Sequence, residues 1–148
     1  MRAVVQRVSM ANVMVDGKEV GRCGPGLLLL VGIEVDDEES DAIWLAKKVA
    51  RLRIFNDAAG KLNESVLDRP DERDVLAISN FTLYGDSAKG SRPSFARSMP
   101  AERAISFFSL FVGYLKSEGV SVQTGVFGAD MRVSLVNDGP VTLILDSP

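Results

Sequence analysis

The sequence Asn137-Asp138-Gly139-Pro140-Val141-Thr142 separates two apolar runs near the end of the chain, residues 133–136 and 141–145. Asn and Asp tolerate positive φ and glycine adopts it without steric cost, so these residues predict a tight corner. Pro140 removes a backbone donor where the second apolar run begins, which leaves bare carbonyls that can form a rigid wall against a ligand. Read alone, the stretch favours a simple hairpin turn, with a ligand-facing corner as the alternative.

Composition predicts one globular domain over residues 1–148. The chain is 46% hydrophobic and 25% charged, and it is long enough to bury a hydrophobic core without the help of disulfides or metal sites. No apolar run approaches the ~20 residues of a membrane span, and residues 1–7 alternate without the apolar core of a signal peptide. A lone cysteine, Cys23, excludes an internal disulfide and suits a reducing compartment. We therefore expect a cytoplasmic protein with no membrane partner.

The residues that the chain lacks narrow its chemistry. There is no histidine, which excludes Ser-His-Asp and Cys-His nucleophilic sites and any histidine-based metal site. One cysteine cannot form a structural zinc site, and no phosphate-loop or dinucleotide fingerprint is present. We expect neither metal nor cofactor. The net charge of −3 argues against binding DNA or wrapping long nucleic acid, although it leaves room for gripping one nucleotide end.

Apolar periodicity predicts several strands. Alternating residues joined by an Asp16-Gly17 turn predict strands over 2–8, 11–15 and 18–23. The continuous apolar run 27–33 predicts a central strand buried on both faces. Further strands are expected over 75–78, running directly into 79–84, and over 120–123 and 131–136.

Two helices complete the prediction. An acidic start and an apolar stripe predict a helix from residue 36 to Leu52, and the Trp44 on it suits either the core or an interface. Pro100 starts the second helix, whose stripe includes Phe108 and Phe111, and Gly119 caps it. We therefore predict a single α+β domain with a mainly antiparallel, barrel-like sheet and two main helices.

Two segments combine a predicted strand end with hydroxyl and amide side chains: Ser79-Asn80-Phe81-Thr82 and the corner from Asn137 to Thr142. Read locally, Ser79 and Thr82 are ordinary strand residues and Phe81 is a core aromatic. The exposed connection over 86–93 is of the kind that often carries function.

Together these segments resemble the D-aminoacyl-tRNA deacylases, a family with a Ser-Gln-x-x-Thr motif and an Asn-x-Gly-Pro-x-Thr motif. The chain meets the second motif in full, and it meets the first with Asn80 in place of glutamine. The likeness covers nearly the whole chain. It includes Val5-Gln6-Arg7-Val8, Arg53-Ile54-Phe55, Phe81-Thr82-Leu83, Arg92-Pro93-Ser94-Phe95, Thr124-Gly125, Ala129-Asp130-Met131 and 134–142.

The resemblance implies a symmetric homodimer with an active site at each end of the interface. It implies that the Gly139-Pro140 corner of one subunit, in the cis form, enters the pocket of the other. The implied substrate is the ester that joins an amino acid to the 3′-terminal adenosine of tRNA. Such a tRNA-binding hydrolase releases the D-amino acid and acts in chiral proofreading during translation. Glycyl-tRNA mischarged on tRNA(Ala) is expected to be hydrolysed as well, because glycine has no side chain to reject.

The resemblance assigns catalysis to Ser79, Asn80, Phe81 and Thr82. Esters of a ribose hydroxyl are already activated, so holding the carbonyl and stabilising its developing charge can suffice. Backbone amides around Phe81 and Thr82 are the candidate donors. Without histidine we see no base for Thr82, so we expect water to attack, helped by the neighbouring ribose hydroxyl, with Thr82 in a positioning role.

Rejection of the L form is assigned to the corner, where carbonyls at Gly139 and Pro140 block the L side-chain direction. The residues implied in this role are Arg7, which pins the corner, and Asn137, Gly139, Pro140, Val141 and Thr142. Four cations are candidates for tRNA phosphates or plain solvated charges: Lys89, Arg92, Arg97 and Arg103. Either Phe127 or Phe81 suits stacking on the terminal adenine.

Asn80 leaves the preference for D substrates open. Its side chain is shorter than that of the glutamine in the family motif, so its amide group is drawn back from the usual position. Related branches of this fold with altered first motifs act on mischarged L-alanyl-tRNA. Two further hypotheses for the chain are a dimer that binds the tRNA end without turnover and a general small-molecule esterase.

Overall fold

The structure is a computed structural model that describes all of residues 1–148. It contains eight strands, two α-helices and two short 3-10 helices. In chain order they are β1 (Arg2–Val15), β2 (Lys18–Cys23), β3 (Gly26–Gly32), α1 (Glu39–Ala50), β4 (Phe55–Asn56), β5 (Leu62–Glu64), a 3-10 helix (Val66–Asp68), β6 (Asp74–Ser79), a second 3-10 helix (Phe81–Tyr84), α2 (Ala101–Ser117), β7 (Ser121–Thr124) and β8 (Arg132–Asp146).

Strand β1 organises the sheet, whose order is β2-β1-β3-β6-β7 with β8 also paired to β1. The three partners of β1 all run antiparallel to it. The β3–β6 and β6–β7 pairs are parallel. The two ends of this order meet where the Arg22 amide donates to Gln123 Oε1 at 3.0 Å. The predicted α+β domain is thus confirmed, as a mixed sheet that nearly closes into a barrel.

The core lies on both sides of β3, as its continuous apolar run predicts. Leu27, Leu29 and Val31 pack with the helices, in a cluster that contains Leu45 and Phe111. Leu28 packs on the other face in a smaller cluster inside the curved sheet, formed by Val8, Ala11, Val13, Cys23, Leu76 and Ile78. Full burial of each large apolar side chain contributes about 1.5–3 kcal/mol.

The helices differ from their predictions at the ends. Helix α1 begins at Glu39, because the Asp41 carboxylate accepts from the Glu38 amide at 2.8 Å and ends the preceding turn. It stops at Ala50, so Leu52 lies beyond it. Helix α2 follows Pro100, which occupies the N-cap position, and Gly119 has the positive φ of +96° expected after its end. No helix is both long enough and apolar enough to cross a bilayer.

Three strand predictions are wrong. Residues 133–136 and 141–145 do not form a hairpin, because both segments pair with β1 as parts of the single strand β8. Strand β6 does not continue through Thr82 but ends at Ser79, where Asn80 caps a 3-10 helix. Residues 2–8 and 11–15 likewise form one strand rather than two.

Replacing Gly26 with alanine is expected to destabilise the fold. Gly26 lies where β3 meets β6, and a Cβ there would overlap with the carbonyl of Asp74, which is main chain and cannot rotate away. We expect Gly26→Ala to lower the free energy of unfolding by about 2–4 kcal/mol in denaturant titration. Gly24→Ala is the matched control, because no atom lies within 4 Å of a Cβ at that position. Equal stability of the two variants would contradict this account of the β3–β6 contact.

Candidate active site

A cavity of about 860 Å³ with a mostly apolar lining lies where β6 ends. Four segments form its wall, namely residues 30–33 at the end of β3, the end of β6 with the 3-10 helix after it, residues 95–104, and residues 127–133. Pockets of this size and apolar character are typical of small-ligand sites. The polar side chains in the wall are few: Ser79, Asn80, Thr82, Ser98 and Asp130.

Asn80 fixes the position of Thr82. Its Oδ1 accepts from the Thr82 hydroxyl at 2.6 Å and from the Thr82 amide at 3.2 Å. Asn is among the preferred N-cap residues, so the side chain both starts the 3-10 helix and orients the hydroxyl. The Thr82 hydroxyl therefore donates to an amide oxygen and not to a base, and its oxygen lone pairs remain available to accept.

Phe81 is 59% exposed, so the interpretation of this residue as a core aromatic is wrong. Its ring meets the edge of Phe95 with centroids 5.1 Å apart, and both rings line the cavity. The Ser98 hydroxyl donates to the Phe81 carbonyl at 2.8 Å, which fixes the peptide from behind. The Phe81 amide is the first of the 3-10 helix and has no intrahelical acceptor, so it can donate to a ligand.

The cavity holds almost no charge. Asp130 is the only ionisable residue in its wall. Tyr84 lies behind the wall at the end of the 3-10 helix, where burial raises the pKa of its hydroxyl. The guanidinium groups of Arg2 and Arg97 lie over the Tyr84 ring. No ionisable group of the wall is paired with the Thr82 hydroxyl.

The corner forms a bulge on β8. Asn137 pairs with Val8, and Thr142 pairs with Gln6, so four residues of β8 loop out opposite one residue of β1. The Gly139–Pro140 peptide bond within this loop is cis, and Gly139 has a φ of +130°. No side chain donates a hydrogen bond to the carbonyl of Gly139 or of Pro140. Those two carbonyls are thus free to face a ligand.

Asn137 and Thr142 close the base of the bulge. The Asn137 amide donates to Thr142 Oγ1 at 2.9 Å, and its Oδ1 accepts from the Val141 amide at 2.9 Å. Gln6 also donates to Thr142 Oγ1, at 3.3 Å. These contacts explain why the motif needs an amide at its first position and a hydroxyl at its last.

Arg7 is the residue of β1 that faces the bulge. Its Nε donates to the Asp138 carbonyl at 3.1 Å, and its Nη1 donates to the Ile54 carbonyl at 2.8 Å. The side chain is buried, and Nε also lies 3.3 Å from the Asp138 carboxylate. One guanidinium therefore ties the corner to the segment that follows α1.

The structure brings the predicted site residues together in two separate groups. Ser79, Asn80, Phe81 and Thr82 share the cavity wall. Arg7, Asn137, Gly139, Pro140, Val141 and Thr142 share the corner, and none of these lines the cavity of the same chain.

Several wall residues carry no local signal in the sequence. Ser98, Met99 and Ala104 reach the wall only because the start of α2 packs beside β3, and sequence reasoning missed them. Met131 lines the cavity within Ala129-Asp130-Met131, a segment that carries part of the resemblance. Phe127 lines the cavity but also packs against Phe108 in the core, with centroids 6.3 Å apart.

The four candidate cations differ in their surroundings. Arg97 forms an ion pair with Glu34 at 2.7 Å, so its charge is already neutralised within the chain. Lys89, Arg92 and Arg103 are exposed, the first two on the connection over 86–93 and the third in the first turn of α2.

Comparison with known proteins finds close relatives along the whole chain. The family profile described as D-Tyr-tRNA(Tyr) deacylase matches residues 4–146. A D-aminoacyl-tRNA deacylase of Geotalea uraniireducens (strain Rf4) is 55% identical over 148 residues, which are 100% of this chain and 94% of that protein. One of Geobacter metallireducens is 53% identical, over 100% of this chain and 97% of that protein. One of Shouchella clausii is 52% identical, over 99% of each chain.

Two solved structures share the fold. The c-Myc DNA unwinding element binding protein superposes with a TM-score of 0.92 at 38% identity, over 100% of this chain and 99% of that one. A probable eukaryotic D-amino acid tRNA deacylase superposes with a TM-score of 0.83 at 18% identity, over 98% of each chain. The motifs, the fold and the full-length match agree, and the chain belongs to the D-Tyr-tRNA(Tyr) deacylase family.

Proposed function

We propose that the chain hydrolyses the ester between a D-amino acid and the 3′-terminal adenosine of tRNA, as a homodimer in which each corner closes the partner's pocket. The observation that carries this proposal is the separation of two complementary parts in one chain. The cavity has an oriented hydroxyl and a free amide but no filter, and the corner has two free carbonyls but no cavity.

The sheet register supports the exchange of corners between protomers. Ser79 pairs with Val31, which pairs with Ala3 of β1. The corner lies opposite Arg7, four residues further along the same strand. That separation is about 14 Å at the rise of an antiparallel strand, so the corner and the Ser79 end of the cavity lie apart on the sheet.

The outer surface of β8 supports a dimer of this kind. Ile144 is 65% exposed, Val136 is 52% exposed, and Leu135 and Leu143 are also exposed. Soluble monomers rarely leave such contiguous apolar surface uncovered. A twofold interface uses the same patch on both protomers, so β8 can lie against a second β8 and present both corners at once.

The cavity suits hydrolysis without a protein nucleophile. The Phe81 amide can donate to the carbonyl oxygen of the ester, and one such preorganised donor contributes about 2.7–4 kcal/mol in the transition state. The Thr82 amide is already directed at Asn80, so we assign the oxyanion contact to Phe81 alone. The Thr82 oxygen accepts from the substrate or from the attacking water, and the vicinal ribose hydroxyl assists that water.

Handedness is decided by exclusion. L and D aminoacyl groups present the same atoms, so a clash with the wrong form discriminates better than an attractive contact. The Gly139 and Pro140 carbonyls, held by Arg7 and by the Asn137–Thr142 contact, form the wall that an L side chain would meet. Glycine presents no side chain to this wall, so glycyl-tRNA mischarged on tRNA(Ala) is also a substrate. The enzyme acts where charged tRNAs occur, in the cytoplasm.

Asn80, which replaces the glutamine of the family motif, holds Thr82 in position in this mechanism. As the N-cap it holds Thr82, so the replacement of glutamine preserves a hydrogen-bonding amide next to the reacting ester. Activity on mischarged L-alanyl-tRNA, the alternative that Asn80 raised, requires the corner to admit a methyl group on the L side.

Paired D- and L-tyrosyl-tRNA tests the proposed function. We expect release of D-tyrosine at a rate at least about a hundredfold above that of L-tyrosine, the scale on which a steric wall worth about 2.7 kcal/mol discriminates. Acid-precipitable label measures both rates, and L-alanyl-tRNA(Ala) and a D-tyrosine alkyl ester serve as further substrates. Intact D-tyrosyl-tRNA would indicate a binding module. Preference for L-alanyl-tRNA would indicate a deacylase of the related branch, and preference for the alkyl ester would indicate a general esterase.

Thr82→Ala tests the positioning role of the hydroxyl. We expect kcat to fall by about ten- to a hundredfold, because the variant loses one hydrogen bond to the reacting centre but no covalent step. Thr82→Ser is expected to restore most of the rate. Rapid quenching followed by mass spectrometry of the parent enzyme should find no acyl group on residue 82. An acyl-Thr82 species, with total loss of turnover in Thr82→Ala, would show that the hydroxyl is the nucleophile.

Arg7→Lys tests the corner. A lysine ammonium is a compact point charge without the planar fork of arginine, so it cannot hold the Asp138 and Ile54 carbonyls with fixed geometry and the wall should loosen. We expect the D-to-L ratio of kcat/KM to fall by at least about tenfold, mainly through faster L-ester hydrolysis. Arg22→Lys, an exposed arginine paired with Glu19, is the matched control. An unchanged ratio in an intact Arg7→Lys dimer would exclude the corner as the filter.

A further inference from the structure

A basic groove lies on the outer side of α1, away from the cavity. Its wall is formed by Trp44, Lys47, Lys48, Arg51, Leu52 and Arg53. Lys47 and Lys48 lie in the last turn of α1, and Arg51 and Arg53 lie at and just after its end. Trp44 is only partly buried and places an aromatic ring beside these charges. We call this surface the α1 groove.

The charges of the α1 groove are poorly neutralised. Lys47 and Lys48 are exposed and take part in no ion pair. Arg51 pairs with Glu118 at 2.7 Å, and Arg53 Nε donates to the carbonyl of Asn63 at 2.7 Å. Glu118 is therefore the one carboxylate in an ion pair with these four cations, in a chain whose net charge is −3. Lys47 and Lys48 lie in the last turn of α1, where cations complement the helix dipole, and the four neighbouring cations form a surface that suits an anionic partner.

The α1 groove is linked to the base of the corner through the segment that follows α1. Arg53 precedes Ile54, whose carbonyl accepts from Arg7 Nη1 at 2.8 Å. The same guanidinium donates to the Asp138 carbonyl, and its Nη2 lies 3.1 Å from where a Cβ on Gly139 would stand. Arg53 of the α1 groove is thus next in sequence to a residue that is hydrogen-bonded to the same guanidinium as the corner.

We propose that the α1 groove of one protomer binds phosphates of the tRNA whose aminoacylated end occupies the partner's cavity. The proposal rests on the proposed function, because it requires the exchange of corners to bring groove and cavity together. Uncommitted lysines act as point charges for phosphate, and the Trp44 ring offers a face for a ribose or an unstacked base. Each tRNA then contacts both protomers. One protomer supplies the cavity, and the other supplies the corner that excludes the L form and the α1 groove that binds the phosphates.

The double variant Lys47→Gln/Lys48→Gln tests the grip. Its control is Lys18→Gln/Lys116→Gln, which removes the same charge from exposed lysines on β2 and at the end of α2. Each enzyme is assayed on D-tyrosyl-tRNA and on the D-tyrosyl ester of adenosine, which has no phosphates. We expect the ratio of kcat/KM for tRNA to that for the adenosine ester to fall about tenfold in the groove variant only, and the salt slope of tRNA binding to decrease by about 1.5–2. Equal ratios in both variants would overturn the proposal.

Mixed dimers test whether the grip acts across the interface. Ala129→Trp places a large side chain in the cavity of one protomer and blocks it. The residual turnover of the Ala129→Trp homodimer is measured separately and subtracted from the turnover of each mixed dimer. In one mixed dimer the open protomer carries Lys47→Gln/Lys48→Gln; in the other the blocked protomer carries them. We expect a raised KM for tRNA only in the second dimer. A raised KM only in the first would place the groove and the cavity of one tRNA on the same protomer, and no change in either would exclude the groove.

Binding of uncharged tRNA separates this proposal from the proposed function. Filter binding with the parent and the two double variants needs no turnover. If D-tyrosyl-tRNA is not hydrolysed but tRNA binding still depends on Lys47 and Lys48, the groove stands and the enzymatic proposal fails. If hydrolysis is D-specific but tRNA binding is the same in all three proteins, the α1 groove binds no RNA. Duplex DNA of equal charge is the competitor that shows whether the groove prefers the RNA.

Discussion

The arrangement of the site depends on one buried guanidinium. Arg7 donates to the carbonyls of Asp138 and Ile54, so it holds the bulge of β8 against the segment that follows α1. Hydrogen bonds from a charged group contribute about 1.5–3 kcal/mol each, and loss of the donor would leave two carbonyls without a partner. Only the planar fork of arginine reaches both acceptors with fixed geometry. The orientation of the Gly139 and Pro140 carbonyls follows from this contact.

The cavity, by contrast, contains few chemically reactive side chains. It has no histidine, its only ionisable residue is Asp130, and its ordered hydroxyls donate to an amide oxygen (Thr82) and to a main-chain carbonyl (Ser98). The lone thiol gives no alternative nucleophile, because Cys23 is not part of the cavity wall, lies buried in the smaller core cluster, and has a pKa that burial raises to about 11. An ester that is already activated is the kind of substrate on which such a site can act, by holding the carbonyl at a fixed amide donor.

Strand β1 explains why the proposed enzyme needs two copies of the chain. Its first residues border the β3–β6 end that carries the cavity, and its middle carries the corner through Arg7. A rigid strand keeps these two parts apart within one protomer, whereas a twofold axis can bring the corner of one to the cavity of the other. The α1 groove is joined to the corner through Ile54 and the same guanidinium. In the proposed dimer it therefore accompanies the corner of its own protomer into contact with the partner.

The sequence by itself determined the elements whose signals are local. The apolar run of β3, the Asp16-Gly17 turn, the stripes of both helices and the Gly119 cap are each contained in a few neighbouring residues, and the resemblance to a known family singled out the residues of both candidate site groups. The tertiary structure alone decided that 133–136 and 141–145 share β1 as partner, that the chain after Ser79 turns into a 3-10 helix with Phe81 exposed, and that Ser98 and Met99 reach the cavity wall. A corner has the same local sequence whether its arms pair with each other or with a third strand, because that choice depends on contacts between residues more than a hundred positions apart.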